Sequence, residues 1–494
     1  MNAGSLFISQ NAPLTDRRSP ARRGSRGDRH RLSASVITRS VQASDVFLLL
    51  LCGWLTKIMF ASAPQTGGRY LLATLAGSLV AARWLARADV YELSALCSLG
   101  TQVRYLPLPL LGGAGSMIVC LFLMRDDGLV SRRWPLLWLL LSTTVLLAWR
   151  WILWRLLQRW SHSGRLARRV AVIGTGEYSR EFIERLRSER GLYTVVGLYD
   201  DRLSRIPAVQ EGVEVRGQVR DLLERSRQEQ VDLIVIALPL QANSRISTIL
   251  EQVGSAVADI CLTTDFVGFR YRSSQMSSVG SNPVVLVGER PIKDWRAVMK
   301  SAFDIVLGSL LLVVLSPLLA FIAMAIRLDS PGPILFRQPR LGFNNRIFIC
   351  YKFRSMRHER ADLTGERQVT RGDARVTRLG RWLRALSLDE LPQLLNVLKG
   401  EMSLVGPRPH PLNTKAEDRL YADVVARYAF RHRVKPGMTG WAQVNGWRGE
   451  TRTREQIESR VACDLAYIEN WSVWFDLRIL VLTLTREILS RHAF

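Results

Sequence analysis

The sequence has no pattern of cysteine or histidine that is typical of a metal site or a disulfide framework. Its six Cys and six His are scattered along 494 residues, without a C-x-x-C or an H-x-x-x-H motif. A structural zinc site needs four such ligands at short spacings, and a disulfide scaffold needs paired Cys in a small domain. The composition therefore excludes both classes and fits a reduced cytoplasm.

Acidic residues are scarce relative to basic ones. The chain has 43 Asp and Glu against 68 Lys and Arg, nearly all of them Arg, which gives a formal net charge of +25. A nucleic-acid groove would need these charges in one stripe with interleaved aromatic rings, and the sequence has no such stripe. The basic residues instead flank apolar runs and recur in the last third of the chain. We therefore expect contacts with membrane lipids and phosphorylated ligands, and no nucleic acid.

Four apolar runs follow a polar, Arg-rich N-terminus. Residues 1–40 predict a disordered basic tail, and the runs at 45–62, 70–86, 105–124 and 135–155 each approach the ~20 residues of a spanning helix. The second run is the weakest because Arg83 interrupts it. We predict a bundle of four transmembrane helices over 41–160, with both ends in the cytoplasm because basic residues flank them.

A fifth apolar run, 305–326, contains Ser316 and Pro317 at its centre. A fifth spanning helix is one interpretation, but it would place residues 327–494 outside the cell, away from nucleotide substrates. Proline kinks a helix, and a serine hydroxyl can bond a freed backbone group. We therefore favour a re-entrant helix over 301–326, with Lys300, Asp304 and Arg327 at one headgroup layer.

Residues 165–290 alternate between strand and helix patterns. Strands are predicted at 170–174, 193–199, 231–239 and 283–288, which indicates a parallel, doubly wound, Rossmann-like domain. Gly174 and Gly176 begin a dinucleotide fingerprint, but Ser179 replaces the third Gly, and Asp200 and Asp201 are the candidate ribose partners. Two interpretations remain open: a bound NAD-type cofactor, and a degenerate module for dimerisation or regulation, which we favour.

Asp389 and Glu390 are the strongest catalytic candidates. In the run 387–392, Ser387 and Glu390 match a capping box, so an ordinary helix start is the structural alternative. Two adjacent carboxylates at a helix N-terminus would both be favoured in their ionised form. One can act as the nucleophile, and the other can hold a divalent ion such as Mg²⁺, which binds carboxylates together with substrate phosphates.

Basic side chains surround this dyad in the sequence, and each alone could be a solvated surface charge. The phosphate-binding candidates are Lys352, Arg354, Arg357, Arg381, Arg384 and Arg408. Arg408 lies between two prolines, and a rigid guanidinium suits a phosphoryl oxygen. Further along, residues 436–446 predict either a turn with a buried Trp or a site in which Trp441, Gln443 and Asn445 hold a base or a sugar.

Together these motifs carry a resemblance over about residues 298–494. They are Lys300 with Asp304, Ser316-Pro317, 352–356, 387–393, 405–409 and 435–446. In this order they resemble the polyprenyl-phosphate hexose-1-phosphate transferases, and the run 440–451 is most similar to the undecaprenyl-phosphate glucose phosphotransferases of exopolysaccharide synthesis. The preceding helices and Rossmann-like region resemble those of the long members of that family.

The resemblance implies a bacterial inner-membrane enzyme with a mostly α-helical catalytic domain on the cytoplasmic face. It implies that Asp389 attacks UDP-glucose and releases UMP, that Glu390 helps hold Mg²⁺, and that undecaprenyl phosphate then takes the sugar phosphate. UDP-galactose or another UDP-hexose is the alternative donor. A membrane-anchored nucleotide sensor and a transporter are alternatives of other classes.

The pattern at 471–490 predicts an amphipathic helix on the membrane or on a neighbouring helix.

Overall fold

The computed structural model describes most of the chain between residues 33 and 489. The described ranges are 33–60, 67–88, 90–124, 133–188, 192–202, 209–239, 241–263, 277–279, 282–356, 373, 375–411, 415–416, 419–420, 428–447 and 453–489. The predicted tail lies outside them up to residue 32. Its last residues, 34–40, were wrongly assigned, because they form the first two turns of a helix whose apolar positions pack into the membrane bundle.

The first part of the chain is helical: α1 Ala34–Phe60, α2 Gly67–Arg87, α3 Leu93–Leu96, α4 Leu99–Tyr105, α5 Pro107–Leu123 and α6 Trp134–His162. Helices α1, α2, α5 and α6 pack in a ring around a common apolar core. The lengths and compositions of 34–59, 99–123 and 134–161 suit membrane spans, as do those of 294–329. Helix α2, which carries Arg83, is not among these candidates, yet it packs between α1 and α5.

The next part is an α/β domain with an eight-stranded sheet. Its elements are β1 Arg168–Ile173, α7 Glu177–Ser188, β2 Tyr193–Tyr199, β3 Val209–Gln210, β4 Val213–Gly217, α8 Val219–Gln228, β5 Leu233–Ile236, α9 Asn243–Val253, β6 Asp259–Thr263, β7 Ser277–Val279 and β8 Asn282–Gly288. The strand order is β3-β4-β2-β1-β5-β6-β8-β7. The four predicted strands are present, but the sheet is mixed rather than all parallel, because β3, β7 and β8 pair antiparallel with their neighbours.

A long helix, α10 Asp294–Asp329, leads into the C-terminal domain. The later elements are β9 Leu335–Leu341, β10 Ile347–Phe353, α11 Arg378–Ala385, α12 Leu394–Leu398, β11 Ser403–Val405, β12 Lys415–Ala416, β13 Arg419–Leu420, β14 Gly437–Thr439, α13 Trp441–Val444, α14 Arg454–Glu469 and α15 Val473–Leu489. Two 3₁₀ helices matter below: the dyad helix, Leu388–Gln393, and the docking helix, Tyr428–Arg433.

The side chains of Lys300 and Asp304 are tied into the protein by hydrogen bonds. Both are buried, and Lys300 Nζ contacts Asp476 Oδ2 on α15 at 2.6 Å and donates to the Val405 carbonyl at 3.0 Å. Asp304 Oδ1 accepts from the Ser403 hydroxyl at 2.9 Å. A buried charge needs a partner of opposite charge or a hydrogen bond. Lys300 and Asp304 contact each other on α10, and each also contacts a group on β11 or α15. This network fixes the first part of α10 to the C-terminal domain.

Candidate active site

The dyad helix begins with a strained residue rather than with a capping box. Ser387 has a φ of 57°, in the left-handed region that non-glycine residues rarely adopt, and its side chain makes no capping hydrogen bond. The predicted capping box is therefore wrong, because the side chain of Glu390 is committed elsewhere. The left-handed residue lets the chain turn sharply from α11 into the dyad helix, which places Asp389 in the interior of the domain.

Glu390 is held by two cations. Lys352 Nζ on β10 donates to its Oε1 at 2.7 Å, and Arg408 binds both carboxylate oxygens, with 2.9 Å between Nη1 and Oε2. The bidentate pairing suits the planar guanidinium. Burial alone would raise the pKa of the Glu390 carboxyl, but Arg408 and Lys352 outweigh it and hold that pKa well below its usual range. Glu390 is thus a fixed negative charge between two positive ones.

Asp389 differs from Glu390 both in its hydrogen bonds and in the direction in which its pKa is shifted. Within the part of the chain that the structure describes, its carboxylate has no hydrogen-bond partner, and it is only 7% exposed. Burial raises the pKa of Asp389, Glu390 raises it further, and Lys352, Arg384 and Arg408 only partly offset the rise. For Asp389, burial and the neighbouring Glu390 act against the ionised form that the helix N-terminus was expected to favour. A mostly buried carboxylate that accepts no hydrogen bond from the protein is a stronger nucleophile than a fully solvated one.

The structure brings together some of the predicted phosphate-binding residues and separates others. Lys352, Arg384 and Arg408 all lie near the dyad. Arg354 does not join them: its guanidinium donates to the carbonyls of Ile326 and Pro331 at 3.1 Å, so it caps the C-terminal end of α10. Arg381 is exposed on α11, and Arg357 lies outside the described residues.

Three glycines explain how Arg408 reaches the dyad. The Arg408 loop, residues 406–410, follows β11, which pairs in parallel with β14. A Cβ on Gly437 would lie 2.1 Å from the Gly406 nitrogen, and one on Gly440 would lie 2.3 Å from the Gly406 oxygen. Only glycine at these positions allows the two backbones to approach so closely. The two glycine-containing motifs of the sequence thus form one structural unit.

Of the residues predicted to bind a base or a sugar, Gln443 has an oxygen without a hydrogen-bond partner in the described part of the chain, whereas Trp441 and Asn445 contact other residues of the protein. Gln443 Oε1 is buried without a hydrogen-bond partner among the described residues, and it lies beside Gly440, next to the Arg408 loop. An unpaired buried acceptor is costly, so a ligand donor at this place would be favourable. The Trp441 ring packs against Phe475, with centroids 5.0 Å apart, and Arg478 lies over its face. Asn445 Nδ2 donates to the Trp441 carbonyl at 2.8 Å.

The sequence did not reveal two buried arginines that hold the Arg408 loop from outside. Arg340 Nη1 donates to the Pro409 carbonyl, and Arg431 Nη2 donates to the Arg408 carbonyl, both at 2.7 Å. In a chain so rich in Arg these two had no distinguishing pattern. The prolines at 407 and 409 were a usable signal, since they remove two N–H donors and leave carbonyls that need partners.

The polar groups of the predicted dinucleotide fingerprint are hydrogen-bonded to other residues of the middle domain. Asp200 Oδ2 accepts from the Thr175 amide at 3.1 Å and from the Thr175 hydroxyl at 3.0 Å, while Oδ1 accepts from Arg245. Ser179 bonds both the N–H and the carbonyl of Gly176. The groups that would bind a ribose and a pyrophosphate are therefore already used, which opposes an NAD-type cofactor here.

The carboxylates of the dyad are the available oxygen donors for a divalent cation. Among the described residues no group of three or more His, Cys, Asp or Glu is placed to hold a metal ion. Mg²⁺ commonly binds through one or two carboxylates and completes its coordination with water and substrate phosphates. The dyad fits that donor set, although Lys352 and Arg408 already bind Glu390.

Comparisons with known proteins match two regions of the chain to family models and most of its length to one relative. Residues 295–490 match the family model described as bacterial sugar transferase, and residues 86–263 match one described as CoA-binding domain. The chain is 36% identical to the undecaprenyl-phosphate glucose phosphotransferase of Komagataeibacter xylinus, over 93% of this chain and 86% of that protein.

Two further relatives are named UDP-glucose:undecaprenyl-phosphate glucose-1-phosphate transferase. The one from Escherichia coli is 39% identical over 66% of this chain and 69% of its own length. The one from Xanthomonas campestris is 35% identical over 78% of this chain and 81% of its own length. The chain therefore belongs to the bacterial sugar transferase family.

Proposed function

We propose that this protein transfers glucose-1-phosphate from UDP-glucose to undecaprenyl phosphate, giving undecaprenyl-diphospho-glucose and UMP. The observation that carries the proposal is the buried carboxylate of Asp389, which has no hydrogen-bond partner among the described residues and lies beside three cations. The names of the relatives supply the donor and the acceptor. The reaction would be the first membrane step in building an exopolysaccharide repeat unit.

The chemistry proceeds in two displacements. Asp389 attacks the phosphorus that bears the sugar, the bond to the bridging diphosphate oxygen breaks, and UMP leaves. A phosphate oxygen of undecaprenyl phosphate then attacks the same phosphorus, and the bond to Asp389 breaks. The acyl phosphate retains transfer potential, so the second step forms a diphosphate without ATP.

Positive charge around the dyad stabilises the transferred group. Arg408 and Lys352 are fixed by Glu390, and Arg384 is close enough to lower the pKa of Asp389. Cations held in place before the reaction stabilise developing phosphoryl charge without reorganisation. When bound, Mg²⁺ would neutralise charge on the diphosphate, and Glu390 is the residue that we expect to hold it. We expect Gln443 Oε1, which has no hydrogen-bond partner among the described residues, to accept from a base N–H or a sugar hydroxyl.

We further propose that α10 is re-entrant and that the catalytic domain lies on the cytoplasmic face of the inner membrane. Both parts of α10 pack on one domain: Asp304 and Gly308 on the first, Ile322 and Ile326 on the second. Residues 316–318, around the proline, are exposed. A straight helix of 36 residues would extend about 54 Å. A bend at Pro317 allows both ends to return to one membrane face.

The exposed aromatic residues fit the same placement. Trp382 on α11 is 71% exposed and Trp474 on α15 is 79% exposed. Tryptophan favours the membrane interface, since its ring is amphipathic. With α11 and α15 on the lipid surface, the dyad would lie near the headgroup layer that contains the phosphate of the acceptor.

The test is UMP release by the purified full-length protein with Mg²⁺, undecaprenyl phosphate and a panel of UDP-sugars. We expect release with UDP-glucose, and none from Asp389→Ala. Release with UDP-galactose alone would replace the donor and keep the mechanism. A folded protein that releases UMP from no UDP-sugar would overturn the proposal.

A further inference from the structure

The carbonyls of the Arg408 loop and of the residue before it are held by long side chains from four separate elements. The donors are Lys300 and Tyr467 to Val405, Arg431 to Arg408, and Arg340 to Pro409. Because the side chain of Arg408 binds Glu390 in the dyad, the position of this backbone sets where that guanidinium lies. The contact from Arg431 is the one made to Arg408 itself.

Arg431 is fixed on several sides. It is 1% exposed, forms an ion pair with Asp464 Oδ2 at 2.7 Å, and its Nη1 lies 2.6 Å from His410 Nδ1. A buried guanidinium needs acceptors for its N–H groups, and both Nη atoms of Arg431 have them, whereas its Nε has none among the described residues. Here the acceptors include a backbone carbonyl of the loop that carries Arg408, so the position of Arg431 and that of the loop are linked.

The neighbours of Arg431 in the docking helix contact the middle domain. A Cβ on Gly254, directly after α9, would lie 2.5 Å from Phe430 Cζ, so the ring of Phe430 lies against this glycine. Arg433 Nη2 donates to the Glu289 carbonyl at 2.6 Å. The turn between β9 and β10 docks nearby, where Asn344 and Arg346 donate to the Ser226 and Arg227 carbonyls at the end of α8.

We infer that Arg431 is a positioning residue for Arg408, and that the docking helix links the position of the middle domain to the active site. The inference rests on the proposed function, since its readout is the sugar-phosphate transfer. The middle domain then acts as a support for the catalytic loop, through the contact between Gly254 and Phe430. A small displacement of a positioned cation is costly, because transition-state stabilisation depends on sub-ångström placement.

The first variant is Arg431→Lys, which keeps the charge and the buried setting. An ammonium lacks the planar fork, so it cannot reproduce the contacts to the Arg408 carbonyl, His410 and Asp464 together. We expect kcat for UMP release to fall by about 10- to 100-fold, while KM for UDP-glucose changes by less than about threefold. A residue with only a structural role would lower the amount of folded enzyme and its melting temperature, without this division between kcat and KM.

The second variant acts from the other domain. Gly254→Leu places a side chain where Phe430 lies, and Gly176→Ala is the matched control, because a Cβ there meets nothing within 4 Å. We expect Gly254→Leu to lower kcat about tenfold and Gly176→Ala to leave it unchanged. Combining Gly254→Leu with Phe430→Ala exchanges a large and a small residue across the contact and is expected to restore much of the activity.

The measurement uses full-length protein in lipid nanodiscs, with melting temperatures for every variant. The inference is supported if Arg431→Lys and Gly254→Leu lower kcat and their effects, when combined, do not multiply, because both act through one link. Wild-type kcat in both single variants, multiplying effects, or no recovery in the size-exchange variant would overturn it. A wild-type chain that releases no UMP would instead remove the proposed function, and this inference with it.

Discussion

The dyad helix and the fingerprint turn of the middle domain begin from similar sequence signals and end in opposite states. At the dyad helix the acids are Asp389 and Glu390, and at the fingerprint turn, 174–176, the acid is Asp200, which directly follows β2. At the fingerprint, both oxygens of Asp200 and both backbone groups of Gly176 are bonded within the domain. At the dyad, Glu390 forms ion pairs with Lys352 and Arg408, whereas Asp389 has no hydrogen-bond partner within the described residues.

The comparison shows that reactivity depends on which polar groups remain unpaired after folding. A saturated acid stabilises its surroundings, and a ligand would have to break those bonds before it could bind. A buried acid without hydrogen bonds lowers the stability of the fold, and such acids are found mainly at functional sites. The following predictions test this contrast in order of decreasing effect.

Replacing the unbonded acid gives the largest effect. Asp389→Asn keeps the shape but removes the nucleophile, so we expect UMP release to fall by about a thousandfold or more. Glu469→Gln, at an exposed position on α14, is the matched control and is expected to keep wild-type rates. Substantial turnover in Asp389→Asn would show that another group attacks the substrate.

Replacing the guanidinium of Arg408 should give the second-largest effect. Arg408→Lys keeps a positive charge but loses the bidentate contact with Glu390, so we expect kcat to fall by about 100-fold, with a smaller change in KM. Steady-state kinetics of UMP release measure both constants. An unchanged kcat with a raised KM would mean that Arg408 binds the ground state only.

The acid side of the pH profile reports the pKa of Asp389. Burial raises that pKa, so the ionised fraction and the rate of transfer should fall on acidification, at a higher pH than for an ordinary Asp. Lys352 lowers the pKa of Asp389, so Lys352→Met should move this acid limb to higher pH. A limb that stays in place or moves to lower pH would contradict the assignment.

The smallest effect is expected from the fingerprint. Because its groups are already bonded, millimolar NAD⁺ or NADH should leave the melting temperature of the native protein unchanged within about 1 °C. An isothermal titration with the same ligands is the second readout. Saturable binding would show that the bonds of Asp200 and Ser179 open for a ligand.

The sequence predicted the elements with a strong local pattern and missed what depends on contacts between distant residues. The strands of the middle domain were predictable because buried parallel strands read as continuous apolar runs. The antiparallel pairing of β8 was not, since direction is set by the whole sheet. Likewise, Asp389, Glu390 and Arg408 stood out by position, whereas Arg354 resembled a phosphate ligand and caps α10 instead. Arg431 is recognisable only from what it contacts in three dimensions.

The central claim, that Asp389 is a free nucleophile, is tested most directly by a single-turnover experiment without undecaprenyl phosphate. With UDP-glucose and Mg²⁺ present, we predict a burst of at most one UMP per enzyme and a hexose phosphate on the peptide that contains Asp389, detected by mass spectrometry. Both should be absent in Asp389→Asn. UMP release that requires the acceptor, with no modified peptide, would contradict the account and indicate direct transfer between the two substrates.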